Sequence, residues 1–247
     1  MHHGLRSTAD ADAEVASAIA ERLGATFRVV HVDIEDGPNL EARARTARRS
    51  ALGADAMTGH TADDQAETVL LALMRGSGAA GLGAIGPGPR HPILALRRTE
   101  TRSLCEQLSL VVADDPTNRD LRFRRNRVRH ELLPLLDDIA ERDVTTLLTR
   151  TADLLRADDQ FLDELAAHVD PTDADQLEGA PRVLAARAIR QWLERDGYPP
   201  DADTVARVLA VAAGDTAASE VGQGLRVERR GRRLVLVPAH RTDRPGR

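Results

Sequence analysis

The sequence contains no lysine, so all 34 residues counted as lysine or arginine are arginine. This excludes a phosphate-loop lysine and a Schiff-base lysine from the chain. A single cysteine, Cys105, leaves neither a disulfide framework nor a Cys-x-x-Cys pair, which suits a reducing cytoplasm. Aromatic residues make up only 2% of the 247 residues, so the core must consist mainly of leucine, valine and alanine.

Long apolar runs are also missing. No segment approaches the roughly 20 apolar residues that a membrane helix needs, and no signal-peptide pattern is present. The sequence therefore gives no indication of a membrane-bound protein.

Charge is distributed unevenly along the chain. The net charge of −5 argues against a uniformly basic coat for nucleic acid. Two stretches are nevertheless rich in arginine: Arg119, Arg122, Arg124, Arg125, Arg127 and Arg129, and then Arg226, Arg229, Arg230, Arg232 and Arg233. Such patches are compatible with a polyanion docked at a defined place, and solvated surfaces are the alternative.

Helical and strand patterns alternate in the first third of the chain. Residues 27–34 and 54–58 are rich in β-forming or apolar residues and predict strands, and residues 110–113 predict a brief third one. Because helical patterns separate these strands, we expect an α/β fold with a parallel, doubly wound sheet.

The pattern changes to long helices after Pro134. Leucine and valine recur at helical spacing from Leu132 to Val169, two further helices follow, and a β-hairpin around Gly231 ends the fold. The predicted division is an α/β domain over residues 1–136, a helical domain with the hairpin over 137–240, and a tail over 241–247.

Residues 59–71 place three carboxylates and a histidine at the start of an apolar segment. Thr61 can cap a helix there, because Asp64 follows it at the spacing of a capping box. Asp63 and Glu67 are four residues apart, and Asp64 and Glu67 are three apart, so both pairs share a face of that helix. The helix would present acids near its first turn.

The other side of this predicted helix is apolar. It carries four residues that we expect in a core: Val69, Leu70, Leu73 and Met74. Acids in a first turn can simply complement the helix dipole. Three acids together with His60 and Gln65, directly after a predicted strand, favour a binding site instead.

A metal site at this helix is conceivable but incomplete. His60 and Asp64 are four residues apart and could form a pair of ligands. No third residue of a suitable type has helical spacing with them. We therefore favour a strand-end histidine near a bound nucleotide, and the metal ligands stay unknown.

Several linked motifs occur over roughly residues 2–136. They are His2-His3-Gly4-Leu5, the helix with Asn39, Glu41, Arg45 and Arg48, Gly59-His60-x-x-Asp63-Asp64-Gln65-Ala66-Glu67, Arg75-Gly76-Ser77-Gly78 with Gly81-Leu82, Asp115-Pro116-Thr117-Asn118, and Arg125-Asn126-Arg127-Val128-Arg129. Linked motifs are far more specific than any one of them alone. In their residues and their order they resemble the motifs of the tRNA(Ile)-lysidine synthase family.

The resemblance implies an ATP-dependent ligase that acts on the wobble cytidine of an isoleucine tRNA. ATP adenylates the cytidine, and the side-chain amine of free L-lysine then displaces AMP to form lysidine. The implied fold is that of the adenine-nucleotide α-hydrolases, with ligands at the carboxyl ends of the strands. The implied cofactors are ATP and Mg²⁺, and the family suggests a homodimer.

The resemblance also suggests how the site residues divide the work. Asp63, Asp64 and Glu67 are the candidate catalytic residues, which would receive an ammonium group of lysine and take a proton from the attacking amine. The candidate substrate-binding residues are Arg45, Arg48 and Arg125, of which Arg45 or Arg125 could hold the lysine carboxylate by a bidentate pair.

Two further groups of residues are assigned to the nucleotide and to the tRNA. The candidate nucleotide-binding residues are His3, Gly4 and His60. The candidate tRNA-binding residues are Asn126, Arg127 and Arg129, with arginines on phosphates and Asn126 fixing the turn. Because aromatic residues are scarce, we expect recognition through the RNA backbone and shape rather than through base stacking.

The chain departs from the family at two places. The family's Ser-Gly-Gly-x-Asp-Ser loop, which holds the phosphates of ATP and normally precedes the His-His-Gly segment, is not in this sequence. Its central strand would be missing too, which would separate the strands at 27–34 and 54–58 and leave sheet edges uncovered. His91-Pro92-Ile93-Leu94 stands where the family tends to have Arg-Pro-Leu-Leu.

Two explanations of the missing loop compete. One is a truncated record of a longer enzyme, which the otherwise intact motifs favour. The other is a remnant that binds tRNA without catalysis. A related tRNA thiolase would need reactive cysteines, and a pure RNA-binding module would leave the acids unexplained.

Overall fold

The computed structural model describes residues 9–30, 32, 43, 47, 50–53, 55–113, 116–195 and 199–239. The chain divides into two compact units, Met1–Arg156 and Ala157–Arg247. None of the helices in the described residues combines the length and the apolar character of a membrane span. The predicted domain boundary at residue 136 stays a prediction.

The described part of the first unit consists of helices joined by turns and irregular segments, without strands. Among its α-helices are α1 (Ala9–Arg22), α2 (Ala62–Leu73), α3 (Ala79–Leu82), α4 (Arg98–Gln107), α5 (Arg124–Arg127) and α6 (Leu133–Ala140). A 3-10 turn at Pro116–Arg119 precedes α5, and a π-helical segment at Val128–Leu132 joins α5 to α6. The next helix, α7 (Val144–Ala166), begins in this unit and ends in the second.

Helix α2 begins as the sequence predicted. The Asp64 carboxylate accepts the backbone N–H of Thr61 at 2.9 Å, and Gln65 N–H donates to the Thr61 carbonyl at 3.0 Å. Ala66 and Leu70 are buried against Val128 and Leu133. One face of α2 therefore packs against the segment that runs from α5 to α6.

Only two of the four α2 residues that were predicted to lie in a core are buried. Val69 and Leu70 are buried, whereas Leu73 and Met74 are each 58% exposed. Leu73 shares the helix face of Ala66 and Leu70, so its exposure comes from its place in the last turn, which the cluster formed with Val128 and Leu133 does not cover.

The parallel sheet is not formed by the described residues. Residues 27–30, 32, 55–58 and 110–113 were predicted to lie in strands, and none of them does. An isolated strand leaves its rows of N–H and C=O groups without partners, so it is stable only beside another strand. No such strand lies beside these residues in the part of the chain that the structure describes.

Two backbone hydrogen bonds bring the segment before α4 alongside the start of α2. Thr58 N–H donates to the Arg90 carbonyl at 2.8 Å, and Ala62 N–H donates to the Leu96 carbonyl at 2.9 Å. This pairing places the first residues of α4 next to the acids of α2.

Arg97 extends this contact to α7. Its guanidinium donates to both oxygens of Asp63, at 3.2 and 3.3 Å, and also to Asp143, directly before α7. The Asp63 carboxylate also accepts the backbone N–H of Arg98 at 2.7 Å. Asp63 therefore connects the start of α2 with the start of α4.

The second unit packs helices against a small antiparallel sheet. After α7 come α8 (Ala174–Gly179), α9 (Arg182–Leu193) and α10 (Ala202–Ala213), followed by β1 (Ala218–Gly222), β2 (Leu225–Arg230) and β3 (Arg233–Pro238). The strand order is β1-β2-β3. Its core consists mainly of branched aliphatic residues, including Ile189, Val208, Val211, Val227 and Leu234.

The last predicted helix and the predicted hairpin are confirmed, and one strand was not predicted. Asp201 caps α10 by accepting Thr204 N–H at 2.7 Å, and Gly214 ends it with a φ of 84°, which favours glycine. The hairpin of β2 and β3 is present. Strand β1 was missed because Ala218–Gly222 contains serine, glutamate and glycine, which are poor β-formers.

Replacing Ile189 tests the packing of the second unit. Its side chain is completely buried, so Ile189→Ala should lower the free energy of unfolding by about 2–5 kcal/mol. Urea unfolding of the full chain measures this. Val183→Ala on the same helix is the matched control, because Val183 is 51% exposed and the change should stay within about 0.5 kcal/mol. Equal losses for both variants would contradict the assigned core.

The Asp63 contact predicts a pH dependence of stability. Burial alone would raise the pKa of Asp63, but the Arg98 N–H and the Arg97 guanidinium outweigh it and hold the pKa below its usual 3.8. A lowered pKa in the folded state stabilises the fold above the unfolded-state value, and this stabilisation is lost as the pH falls through the folded-state pKa.

Asp63→Asn should therefore lower the free energy of unfolding by about 1–2 kcal/mol at pH 7, and the difference from wild type should shrink towards zero as the pH falls below 3.8 and through the lowered folded-state pKa. Denaturant unfolding across this pH range measures it. Asp158→Asn removes an exposed carboxylate without a described ion pair and serves as the control. A difference for Asp63→Asn that persisted at low pH would show that the carboxylate charge is not its source.

Candidate active site

Glu67 is a fully buried carboxylate that is surrounded by three arginines. Its side chain is 0% exposed. It accepts hydrogen bonds from Arg98 Nη2 at 3.2 Å, from Arg125 Nε at 2.7 Å, and from Arg129 Nε and Nη2 at 2.7 and 3.1 Å. A buried carboxylate needs such partners, because its desolvation is otherwise very costly.

Asp64 shares the same three arginines. Its Oδ1 accepts from Arg98 Nη2 at 3.1 Å and from Arg125 Nη2 at 2.9 Å, and Arg129 Nη2 lies 3.6 Å away. We call Asp64, Glu67, Arg98, Arg125 and Arg129 the arginine cluster. With two carboxylates and three guanidinium groups, it carries one excess positive charge.

The protonation states in the cluster follow from these contacts. Burial alone would raise the pKa of Asp64, but the Thr61 N–H and the charges of Arg98 and Arg125 hold it below the usual value. Burial alone would lower the pKa of Arg129, and the hydrogen bond and charge of Glu67 raise it instead. Both groups therefore stay ionised near neutral pH.

Four stretches of the chain supply the cluster. The acids lie in the first two turns of α2, and Arg98 is the first residue of α4. Arg125 lies in α5 and Arg129 in the π-helical segment, four residues apart and hence on one face.

Asn126 holds the turn that precedes these arginines. It is buried, and its Nδ2 donates to the carbonyls of Thr117 and Asp120 at 2.6 and 2.9 Å. The 3-10 turn is thereby fixed to α5, so the backbone that carries Arg125 is held in place.

An open cavity of about 370 Å³ adjoins the cluster. Its lining residues are Gly59, His60, Asp64, Asn118, Arg125, Asn126 and Arg129. Asp64, Arg125 and Arg129 retain side-chain exposures of 15%, 35% and 20%. Asp64 is thus the acid at the cavity wall, and Glu67 lies behind it.

A larger cavity of about 610 Å³ lies on the other face of α5. It is mainly apolar, with Leu71, Met74 and Leu135 among its walls, and none of the α2 acids reaches it. We therefore assign the chemistry to the smaller cavity, where charged groups converge.

The structure separates some residues that the sequence grouped together. Asp63 contacts Arg97 and the Arg98 backbone rather than Glu67. Arg127 faces the larger cavity and pairs with Glu131 at 2.7 Å. The remaining predicted site residues, His3, Gly4, Arg45 and Arg48, lie outside the described residues.

Sequence reasoning missed Arg97 and Arg98, which contact all three acids between them. A signal was available: Leu70 and Leu71 follow Glu67 by three and four residues and share its helix face, so a carboxylate buried with them required cations from elsewhere. The sequence does not show which of 34 arginines would supply them.

The described donor groups do not fit a metal ion. No group of three histidine, cysteine, aspartate or glutamate residues in the described ranges could hold one. Each of the three acids of α2 already accepts hydrogen bonds from an arginine, so together they do not offer the several free oxygens that a divalent metal ion takes.

Comparison with known proteins identifies the family. The PP-loop domain matches residues 1–136. The chain is 43% identical to a tRNA(Ile)-lysidine synthase of Nocardia farcinica over 225 residues, which are 85% of this chain and 71% of the relative. It is 44% identical to that of Rhodococcus erythropolis over 80% of this chain and 66% of the relative. The chain thus spans about two thirds of the length of these relatives, and it belongs to the tRNA(Ile)-lysidine synthase family.

Proposed function

We propose that the protein ligates free L-lysine to the wobble cytidine of an isoleucine tRNA, through an adenylated cytidine and at the expense of ATP. The family supports this reaction, since the relatives are tRNA(Ile)-lysidine synthases with a PP-loop domain. The observation on which the lysine assignment rests is the charge arrangement in the 370 Å³ cavity.

The cavity wall combines one acid with two arginines at contact distance. Asp64 and Arg125 are 2.9 Å apart. A ligand that binds both must therefore carry its positive and its negative group next to each other. The α-ammonium and α-carboxylate of an amino acid have this arrangement. Asp64 would receive the ammonium, and Arg125 and Arg129 the carboxylate, which leaves the side-chain amine of lysine to extend towards the cytidine.

Asp64 is better suited to binding than to proton abstraction. Because its pKa lies below the usual value, it is a weak base near neutral pH. It is also the acid among the three that lines the cavity.

Glu67 has a positioning role in this proposal. Its side chain is completely buried and contacts the arginines, so it acts on a substrate through Arg98, Arg125 and Arg129. Without Glu67 the three guanidinium groups would repel one another, and the cavity wall would lose its geometry.

Contacts with tRNA phosphates are proposed for the exposed arginines near α5. Arg127 is 63% exposed, and Arg129 borders the cavity with Asn126. The parallel sheet, the homodimer, the Mg²⁺ requirement and the cytoplasmic location stay predictions.

A second candidate function is tRNA binding without catalysis. It is favoured by the exposed arginines near α5, such as Arg127, which can contact phosphates without the acids of α2. The two functions differ in lysine-dependent release of AMP. We would assay it with this chain as written and with the family's strand and loop joined to its N-terminus.

Asp64→Asn is expected to raise the KM for lysine by about 10- to 100-fold, because one charged hydrogen-bond acceptor for the ammonium is lost. The dissociation constant for tRNA should change by less than about twofold. Steady-state AMP release with the loop-bearing chain, and tRNA binding by filter retention, measure the two quantities.

Asp158→Asn is the control, since this exposed aspartate lies outside the cavity. A loss of tRNA binding in Asp64→Asn with an unchanged KM for lysine would overturn the lysine assignment. If both the chain as written and its loop-bearing form bound tRNA but released no AMP in response to lysine, the binding function would be the correct one.

A further inference from the structure

The larger cavity, of about 610 Å³, is a groove between the end of α2 and the segment from α5 to α6. Sites for small ligands commonly have volumes of roughly 300–1,000 Å³, so this groove is large enough for one. Its floor is aliphatic and consists of Leu71, Met74, Val128, Leu132 and Leu135. We call this cavity the apolar groove.

Part of the floor is in contact with water. Met74 is 58% exposed and Leu135 is 52% exposed, whereas Val128 is buried. Apolar surface gathered in one concave place commonly marks a binding site, because a ligand that covers it removes it from water.

The rim of the apolar groove is basic. It carries Arg75, Arg124 and Arg127 with one acid, Glu131, which leaves two excess positive charges. Glu131 is bonded to Arg127 at 2.7 Å. Arg75 and Arg124 are both exposed, and neither forms an ion pair with another described residue. Their charges are therefore available to an anionic ligand.

The segment that begins with α5 carries the arginines of both cavities on separate faces. Arg124, Arg127 and Glu131 follow one another at the spacing of one helical face and line the apolar groove. Arg125 and Arg129 lie on a different face and line the 370 Å³ cavity. Since a helix with its side chains is about 10–12 Å across, one ligand strand can reach both cavities.

A ligand of the apolar groove must carry an apolar surface next to negative charge. An unpaired nucleotide meets this requirement, because the flat face of its base is apolar and its phosphates are anionic. Double-stranded RNA does not, because its base faces are stacked on one another and would leave the floor in water. Aromatic residues are scarce in this chain, so the base would lie on aliphatic side chains and beside guanidinium planes.

We propose that the apolar groove binds one unpaired nucleotide of the RNA substrate, other than the cytidine that is modified. The base face covers Leu71, Met74 and Leu135, and Arg75 and Arg124 hold its phosphates. The proposal deepens the proposed function and rests on it, since the RNA strand reaches the groove from the 370 Å³ cavity.

The consequence is a second point of contact along the same RNA strand. The cytidine lies at the 370 Å³ cavity, and a nearby unpaired nucleotide in the apolar groove limits which nucleotide can reach Asp64. The groove therefore contributes to the choice of RNA position, although it takes no part in the chemistry.

Substitutions of the floor test the base contact. Filter retention measures the binding of an isoleucine tRNA transcript to the full chain. Leu135→Ser should raise the Kd about 3- to 10-fold, because apolar contact is lost, and Leu135→Met should bind as wild type does. Ile139→Ser is the matched control, one turn further along α6, 69% exposed and outside the groove. Equal Kd values for Leu135→Ser and Ile139→Ser would overturn the proposal.

Unfolding midpoints check that these variants remain folded. Met74→Ser takes the place of Leu135→Ser if the latter fails to fold, since Met74 belongs to the same floor and is also half exposed.

Arg124→Gln tests the phosphate contact. The slope of the logarithm of the binding constant against the logarithm of salt concentration should become shallower by about one, since one phosphate contact is lost. Arg102→Gln, at an exposed arginine of α4, is the control and should keep the wild-type slope. A wild-type slope in Arg124→Gln would contradict the assigned phosphate contact.

An abasic nucleotide removes a base and keeps its phosphate, so it separates base binding from general attraction to RNA. Abasic nucleotides are introduced in turn at the unpaired positions of the anticodon loop. At one position other than the wobble cytidine, the missing base should weaken binding to wild type and have no further effect with Leu135→Ser. Equal losses for both proteins at every position would show that no base lies in the groove.

Failure of this proposal can be distinguished from failure of the proposed function. If the chain binds tRNA and its floor and rim variants bind as wild type does, the nucleotide is excluded and the proposed function stands; the groove would then fit an acidic amphipathic helix instead. A full chain that does not bind the tRNA would overturn both. Lysine-dependent AMP release by the loop-bearing chain tests the reaction separately.

Discussion

Glu67 is a carboxylate with no exposure to water, and three guanidinium groups surround it. The arginines come from positions 31, 58 and 62 residues further along the chain. Because a buried charge is tolerated only when it is paired, the folded chain must bring α4, α5 and the π-helical segment to α2. Glu67 therefore connects each of these elements of the first unit to α2.

The cluster gives the cavity its chemistry as well as its shape. Two acids do not neutralise three arginines, and Asp64 and Arg125 meet at the cavity wall. A wall of this kind favours a ligand whose own opposite charges are adjacent, such as the head group of an amino acid. Without Glu67 the three guanidinium groups would repel one another. Glu67 therefore influences which ligand can bind, although it need not touch the ligand itself.

Local features of the sequence predicted local structure well. Thr61 and Asp64 marked the start of α2, and Gly231 marked the hairpin. These signals operate within a few residues, where capping and turn chemistry decide the backbone. Linked motifs also identified the family, because their order along the chain can be recognised without knowledge of contacts.

Contacts between distant residues were not predictable in the same way. Spacing on α2 suggested that Asp63 and Glu67 act together, whereas Asp63 contacts Arg97 and Glu67 contacts Arg98. The backbone pairing of Thr58 with Arg90 and of Ala62 with Leu96 determines which arginines lie next to the acids of α2. No short sequence motif encodes this pairing. The absence of strands among the described residues of the first unit has a related reason, since a strand is stabilised by its neighbours in space rather than by its own residues alone.

The most direct test of the account is a double-mutant cycle between Glu67 and Arg129, measured as the free energy of unfolding of the full chain. Glu67→Gln, Arg129→Gln and the double variant should give a coupling energy of about 1–3 kcal/mol, because the pair is buried and bonded twice. Glu131 and Arg127 form an exposed pair four residues apart in the same region, and their cycle should give roughly 0.3–0.5 kcal/mol. Couplings of equal size in the two cycles, or a value near zero for Glu67 and Arg129, would contradict the claim that Glu67 organises the site.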